Sequence, residues 1–189
     1  QSLMYYRQHK NNVTGNAQWI GKRPDSCNYS DIKDYKLANG EPLPTLNDYL
    51  VQAQKYPNTK LILEIKTHNS AEKNMRAART CFEMVKAKNM QHQVEYIAFS
   101  YDICKELVRL DPNAMVQYLN GDKAPAKVLA DGIRGIDYKA DKLTDAWIKE
   151  ANARGMTVNV WTVNDQATMV NFMNKGVDLI TTDQSELAM

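Results

Sequence analysis

Net charge is almost absent from this sequence. Lys and Arg total 24 against 22 Asp and Glu, a formal +2. So balanced a chain lacks the basic surplus expected of a nucleic-acid-binding domain, and no nucleic-acid partner is expected. Long apolar runs are missing too. None approaches the ~18–20 residues needed to cross a bilayer, so no transmembrane segment is expected. Gln1-Ser2-Leu3 is neither a basic n-region nor an initiator Met, the start expected of a processed, trimmed or truncated chain. Cysteine is scarce. Cys27, Cys81 and Cys104 are odd in number and far apart, which argues against a zinc cluster or disulfide framework and for idle or buried thiols. Glycine-rich phosphate loops are lacking as well. No G-x-G-x-x-G and no G-x-x-x-x-G-K occurs, so a dinucleotide fold or P-loop enzyme has no support.

What is present is ordinary globular material: 189 residues, 43% hydrophobic and 24% charged. That suits a single domain over 1–189 with a sizeable core. Residues 1–42 read as an irregular segment, rich in Asn, Gly and Pro, with one candidate strand at Ser2–Gln8. Residues 43–57 read as a helix, with Thr45 as N-cap and an apolar stripe of Leu46, Tyr49, Leu50 and Ala53. From there strands and helices alternate. Strands are expected at 60–66, 94–100, 114–119, 133–138, 156–163 and 177–182. Helices are expected at 70–89, 101–110, 124–130, 144–154 and 165–174, with Gly155 and Gly176 as helix stops. Such alternation argues for a parallel α/β sheet of βαβ units. The closed version of that architecture, the (β/α)8 barrel, keeps its chemistry at the C-terminal ends of its strands. Six units are counted here, two short of closure.

The residues at those ends are Glu64, Lys66 and His68; Ser100; Tyr118 and Asn120; Asp137; Trp161 and Asn164; and Thr182 and Asp183. Glu64 and Lys66 are two apart on a strand and so share a face. A carboxylate there can hold a hard divalent cation, and a lysine can hold a phosphate as a point charge. An ion pair that needs no ligand explains the same spacing. Trp161 suits an aromatic wall for a small organic group, or plain core packing. His68 could face the site or cap a loop.

Five runs carry a resemblance: Leu43-Pro44-Thr45-Leu46, Leu63-Glu64-Ile65-Lys66, Phe99-Ser100, Trp161-Thr162-Val163-Asn164 and Ile180-Thr181-Thr182-Asp183. In order and spacing they resemble the glycerophosphodiester phosphodiesterase family, from about residue 35 to the C-terminus. The resemblance implies a (β/α)8 TIM-type barrel. It implies hydrolysis of a small-molecule glycerophosphodiester to glycerol 3-phosphate and an alcohol, with a divalent cation, Ca²⁺ or Mg²⁺. It makes Glu64 a metal ligand, Lys66 the basic residue near the phosphate, Trp161 the aromatic residue on the glycerol side, and Tyr118 a further substrate-binding aromatic. His9, in Tyr5-Tyr6-Arg7-Gln8-His9-Lys10, matches a catalytic histidine, with Lys10 where the family has an aspartate.

The family's opening His-Arg-Gly and Glu-x-Asp motifs do not occur in the sequence. The first two βα units are therefore expected to be missing or replaced, and turnover by these 189 residues to be weak or absent. Three readings are open: a metal-dependent glycerophosphodiesterase, incomplete or divergent; a degenerate barrel that binds a phosphate and glycerol ligand without turnover; and another strand-end carboxylate barrel such as a phosphatidylinositol-type phospholipase. The Trp-Thr-Val-Asn and Ile-Thr-Thr-Asp runs speak against the third. Oligomerisation is compatible with all three. A periplasmic or extracellular location is preferred to a cytoplasmic one. Asn12-Val13-Thr14 and Asn28-Tyr29-Ser30 fit the glycosylation pattern, which by itself does not establish export.

Overall fold

The structure is a computed structural model that describes residues 13–14, 27–34, 36–37 and 40–188. Both His9 and the candidate strand Ser2–Gln8 lie outside the described residues. The fold divides into two compact units, one running up to Leu61 with His68–Gln93, the other Ile62–Thr67 with Val94 onward.

In the first unit, β1 (Val13–Thr14) pairs antiparallel with β2 (Lys36–Leu37), Val13 opposite Leu37. A short helix, α1 (Tyr29–Ile32), precedes β2. Sequence patterning gives no sign of this helix because four residues cannot show a 3.6-residue period. Its start is marked by Asp31, whose Oδ2 accepts from the Asn28 N–H at 3.1 Å. Helix α2 (Leu46–Gln54) begins where expected. Thr45 Oγ1 accepts from the Asp48 N–H at 3.3 Å, and Asp48 Oδ2 accepts from the Thr45 N–H at 2.8 Å. This reciprocal pair satisfies two donors that a helix start leaves open. Helix α3 (Ala71–Ala87) is capped by Ser70 and buries Ala78, Phe82 and Val85. Gln93 ties the unit's last residues back: its Nε2 donates to the carbonyls of Ala53, Tyr56 and Thr59, each at 2.9 Å.

The second unit holds the six-stranded sheet. Its strands are β3 (Leu61–Glu64, entering from Ile62), β4 (Val94–Ala98), β5 (Val116–Tyr118), β6 (Gly135–Lys139), β7 (Thr157–Trp161) and β8 (Leu179–Ile180). The order is sequential, β3-β4-β5-β6-β7-β8. Pairing is parallel throughout, with β3 joined to β4 by the Ile65 N–H to Ile97 carbonyl bond at 2.9 Å. A doubly wound sheet reverses its order at a switch point. This one never does, so its crossover helices all lie on one face.

Those helices are α4 (Tyr101–Leu110), α5 (Pro125–Ala130), α6 (Asp145–Ala153) and α7 (Gln166–Asn174). Ser100, Thr144 and Asp165 cap three of them, each side chain accepting from a backbone N–H three residues on. The sheet face toward the helices, here called outer, carries Tyr96, Ala98, Val116, Tyr118, Ile136, Tyr138, Val158 and Val160, all buried. Continuous burial of β-branched and aromatic residues is what a parallel sheet covered by helices requires.

The sheet is strongly curled. Strands β4 and β7 are three strand spacings apart, roughly 14 Å in a flat sheet. Yet the rings of Phe99 and Trp161, at or just past their ends, meet edge to face with centroids 5.7 Å apart. The inner face is therefore concave.

Candidate active site

Register assigns each residue to a face. Asp137 pairs with Asn159, Lys139 with Trp161, and Gln117 with Gly135. Paired residues of parallel strands point the same way, and so does every second residue along each strand. Glu64, Lys66, Glu95, Gln117, Asp137, Lys139, Asn159 and Trp161 thus belong to the concave inner face. Tyr118 pairs with Ala98 and Ile136 on the outer face.

The structure brings Glu64 and Lys66 to one face, as their spacing predicts, and register puts Trp161 on that face too. Lys66 Nζ lies 2.5 Å from Glu64 Oε1, with both side chains about one quarter exposed at 26% and 22%. The two charges form an ion pair, and the pair stays in reach of solvent. Trp161 Nε1–H donates to the Asp137 carbonyl at 3.0 Å, which fixes the indole plane beside Phe99.

It does not bring Tyr118 to them. Tyr118 sits under α4, its ring edge-on to Tyr101 at 4.8 Å and to Tyr138 at 6.1 Å. Its hydroxyl donates to Asp122 Oδ1 at 2.7 Å. Burial raises its pKa, with the Asp122 bond next in effect. A strand-end position alone does not fix the face. Tyr118 falls on the alternate with the helix-facing residues.

Other strand-end residues close loops. Asn164 Oδ1 accepts from the Asp183 N–H at 2.8 Å and from Thr182 Oγ1 at 3.2 Å. Its Nδ2 donates to Asp183 Oδ2 at 2.9 Å. The loops after β7 and β8 are thereby locked together. At His68 the backbone N–H donates to Asn74 Oδ1 at 2.7 Å.

Asp137 is the residue that strand-end counting reaches without singling out. It is 1% exposed, and its Oδ1 has no hydrogen-bond partner. Burial, reinforced by the Glu64 charge, pushes its pKa up to about 7. The sequence signal is a lone carboxylate inside the apolar run Gly135-Ile136-Asp137-Tyr138.

Residues 11–187 match the Glycerophosphoryl diester phosphodiesterase family. The chain belongs to that family. The resemblance is to a family of hydrolases. It is 43% identical to a glycerophosphodiester phosphodiesterase from Parabacteroides distasonis, over 89% of this chain and 72% of that one, with a TM-score of 0.85. A Silicibacter pomeroyi protein proposed to be a glycerophosphoryl diester phosphodiesterase shares 20% identity over 93% and 71%, with a TM-score of 0.76. A phosphodiesterase from Oleispira antarctica, solved in complex with the product sn-glycerol-3-phosphate, shares 16% over 89% and 73%, with a TM-score of 0.71. At such identities the last two bear on the fold alone. A comparison with curated proteins finds no match.

The divalent cation implied by the family resemblance can be tested against the donors. Among the described residues no group of three or more His, Cys, Asp and Glu side chains could hold a metal. Glu64 is already held by an ammonium. Ca²⁺ takes six to eight oxygens, so the described carboxylates around Glu64 do not by themselves fit the ion.

Proposed function

We propose that this chain hydrolyses glycerophosphodiesters to glycerol 3-phosphate and an alcohol, at the C-terminal ends of β3, β6 and β7. The Glu64–Lys66 pair, on the same concave face as Trp161, carries the reading, together with membership of the family. The curled, sequential sheet is read as part of a (β/α)8 barrel, whose active face lies at these strand ends.

Lys66 has the reach and charge to hold a phosphate oxygen. Glu64 holds the ammonium in place and leaves it partly solvated. Trp161 and Phe99 give the non-reacting glycerol carbons an apolar wall. In hydrolysis a water oxygen bonds to phosphorus as the bond to the leaving alkoxide breaks. The water loses a proton and the alkoxide gains one. His9 is the proposed proton carrier. The requirement for Ca²⁺ or Mg²⁺ belongs to the proposal, and no step above is routed through the ion.

The same pair also favours a second reading. A lysine whose charge is already answered by Glu64 can bind a phosphodiester without turning it over. Release of glycerol 3-phosphate from glycerophosphocholine separates the two, measured with Ca²⁺ and with EDTA, beside Glu64→Ala and Lys66→Ala. Turnover that EDTA abolishes, and that falls at least ~100-fold in both variants, supports the enzyme. Binding of glycerophosphocholine without release by the folded chain supports the second reading and overturns the first.

A further inference from the structure

We infer that Asp137 is a positioning residue for the Trp161 indole, and that it acts as a neutral carboxylic acid whose proton answers the acceptors beside it. The glycerol-facing role of Trp161 rests on the proposed hydrolysis; the state of Asp137 does not.

Trp161 is held to β6 by two bonds. Its Nε1–H donates to the Asp137 carbonyl at 3.0 Å. Its own carbonyl accepts from the Ala140 N–H at 2.9 Å. The first bond sets the indole, which meets Phe99 edge to face. Any shift of β6 at Asp137 therefore reaches the indole.

The Asp137 side chain lies on the inner face and is sealed from solvent. Its register partner is Asn159, one strand spacing away, about 4.8 Å. Gln117 pairs with Gly135, two residues before Asp137 on the same face. Gln117 Oε1, Asp137 Oδ1 and Asn159 Oδ1 are all buried without a hydrogen-bond partner. Gln117 Nε2 is spent on Glu95 Oε2 at 3.2 Å. Buried polar groups in native folds are satisfied. Of these three acceptors only the carboxyl gains a donor by binding a proton, and it then offers one O–H to an acceptor beside it.

Charge points the same way. Among the described residues the charged side chains of the inner face are Glu64 and Lys66 after and on β3, Glu95 on β4 and Lys139 on β6; β5, β7 and β8 add none. Lys66 is paired with Glu64, and Lys139 with Asp141 at 2.7 Å. Both ammonium groups are thus committed away from Asp137. A sealed carboxylate without a partner is costly. Burial first, and then the Glu64 charge, push the Asp137 pKa up to about 7.

In the unfolded chain the same carboxyl has a pKa near 4. A raised folded pKa gives stability that is full below the unfolded value and is lost as pH rises through the folded one. In EDTA, the thermal midpoint of the unsubstituted chain, taken relative to Asp137→Asn, should fall by several degrees between pH 4.5 and pH 8. Tryptophan emission is a readout that packing alone would not move with pH. It should titrate near pH 7 in the unsubstituted chain and stay flat in Trp161→Phe and Asp137→Asn. Carboxyl NMR of the unsubstituted chain carrying ¹³C-aspartate needs no folded variant, and one resonance should titrate near pH 7. Aspartates that all titrate below pH 5 overturn the inference. So does an emission titration that persists in Asp137→Asn, or a midpoint difference that does not change with pH. A chain that meets these expectations and releases no glycerol 3-phosphate keeps this role for Asp137 while losing the proposed activity.

Discussion

Gly135 has no side chain, and the space where one would stand is taken by Gln117. Gly135→Ala should lower stability by about 1–3 kcal/mol, the ordinary cost of overpacking. Urea denaturation measures it, and pairing the change with Gln117→Ala should return most of the loss. Cys104 is a second residue whose surroundings decide its behaviour. It is fully buried, its thiol facing the Ala98 carbonyl at 3.7 Å, and burial pushes its pKa up to about 12. The thiolate is the reactive form. Iodoacetamide at pH 8 should leave Cys104 unmodified in the folded chain and alkylate it in urea, as peptide mass mapping would show. At this scale the sequence was partly legible. The i, i+2 rule places Glu64 and Lys66 on one face because the backbone stays in register past the end of β3, where the Ile65 N–H still bonds to the Ile97 carbonyl. Tyr118 needed the phase of β5 against its neighbours, which no single strand carries. Asp137 was reached only as one strand-end residue among several, and Asn159 and Gln117 were not reached, because the face a polar residue occupies depends on the register between strands.

Five of the described helices start where a side chain accepts from an early free N–H group, whereas α5 starts on Pro125 without such a cap. For α2 the carboxylate of Asp48 is part of that start, and its bonds to the Thr45 backbone and hydroxyl hold its pKa below the ordinary carboxylate value. A depressed folded pKa contributes stability above the unfolded value, near 4, and loses it as pH falls through the folded value. The thermal midpoint of the unsubstituted chain should therefore drop between pH 5 and pH 3 by more than that of Asp48→Asn. An equal drop in both would show that this cap adds nothing. Helix boundaries were readable in part for the same reason: Thr45 is visible in the sequence as a cap, and Ser70, Thr144 and Asp165, which turn out to be caps, open the helices expected at 70–89, 144–154 and 165–174. Gly155 and Gly176, with φ of +67° and +84°, are visible as stops. Strand limits were read long, because apolar residues continue past the last strand residue, as at Val163 after β7. The β1–β2 hairpin escaped notice, since two-residue strands have no period.

Across the molecule, alternation of short apolar runs with amphipathic stretches was enough to give a parallel α/β sheet, because each apolar run had to be covered by the amphipathic helix after it. Sequential order and curl were not in that pattern. They come from how far the strands slip against one another, a property of pairs. The outer face meets the helices everywhere, so its stability contribution is dense. Ile136→Ala, at a fully buried position of β6, should cost about 2–5 kcal/mol, read as a shift of the urea midpoint with unchanged slope.

Two faces with such different neighbours should tolerate substitution unequally. Residues that hold it to its helices and residues that face its concave side alternate along every strand, so a change in one set leaves the other in place. A library confined to Glu64, Lys66, Lys139 and Trp161 should yield mostly folded variants with altered ligand preference, while an equal load on Val116, Ile136, Val158 and Val160 should yield mostly insoluble ones. New chemistry in this lineage can then arise one alternate residue at a time, on a scaffold that does not have to be rediscovered.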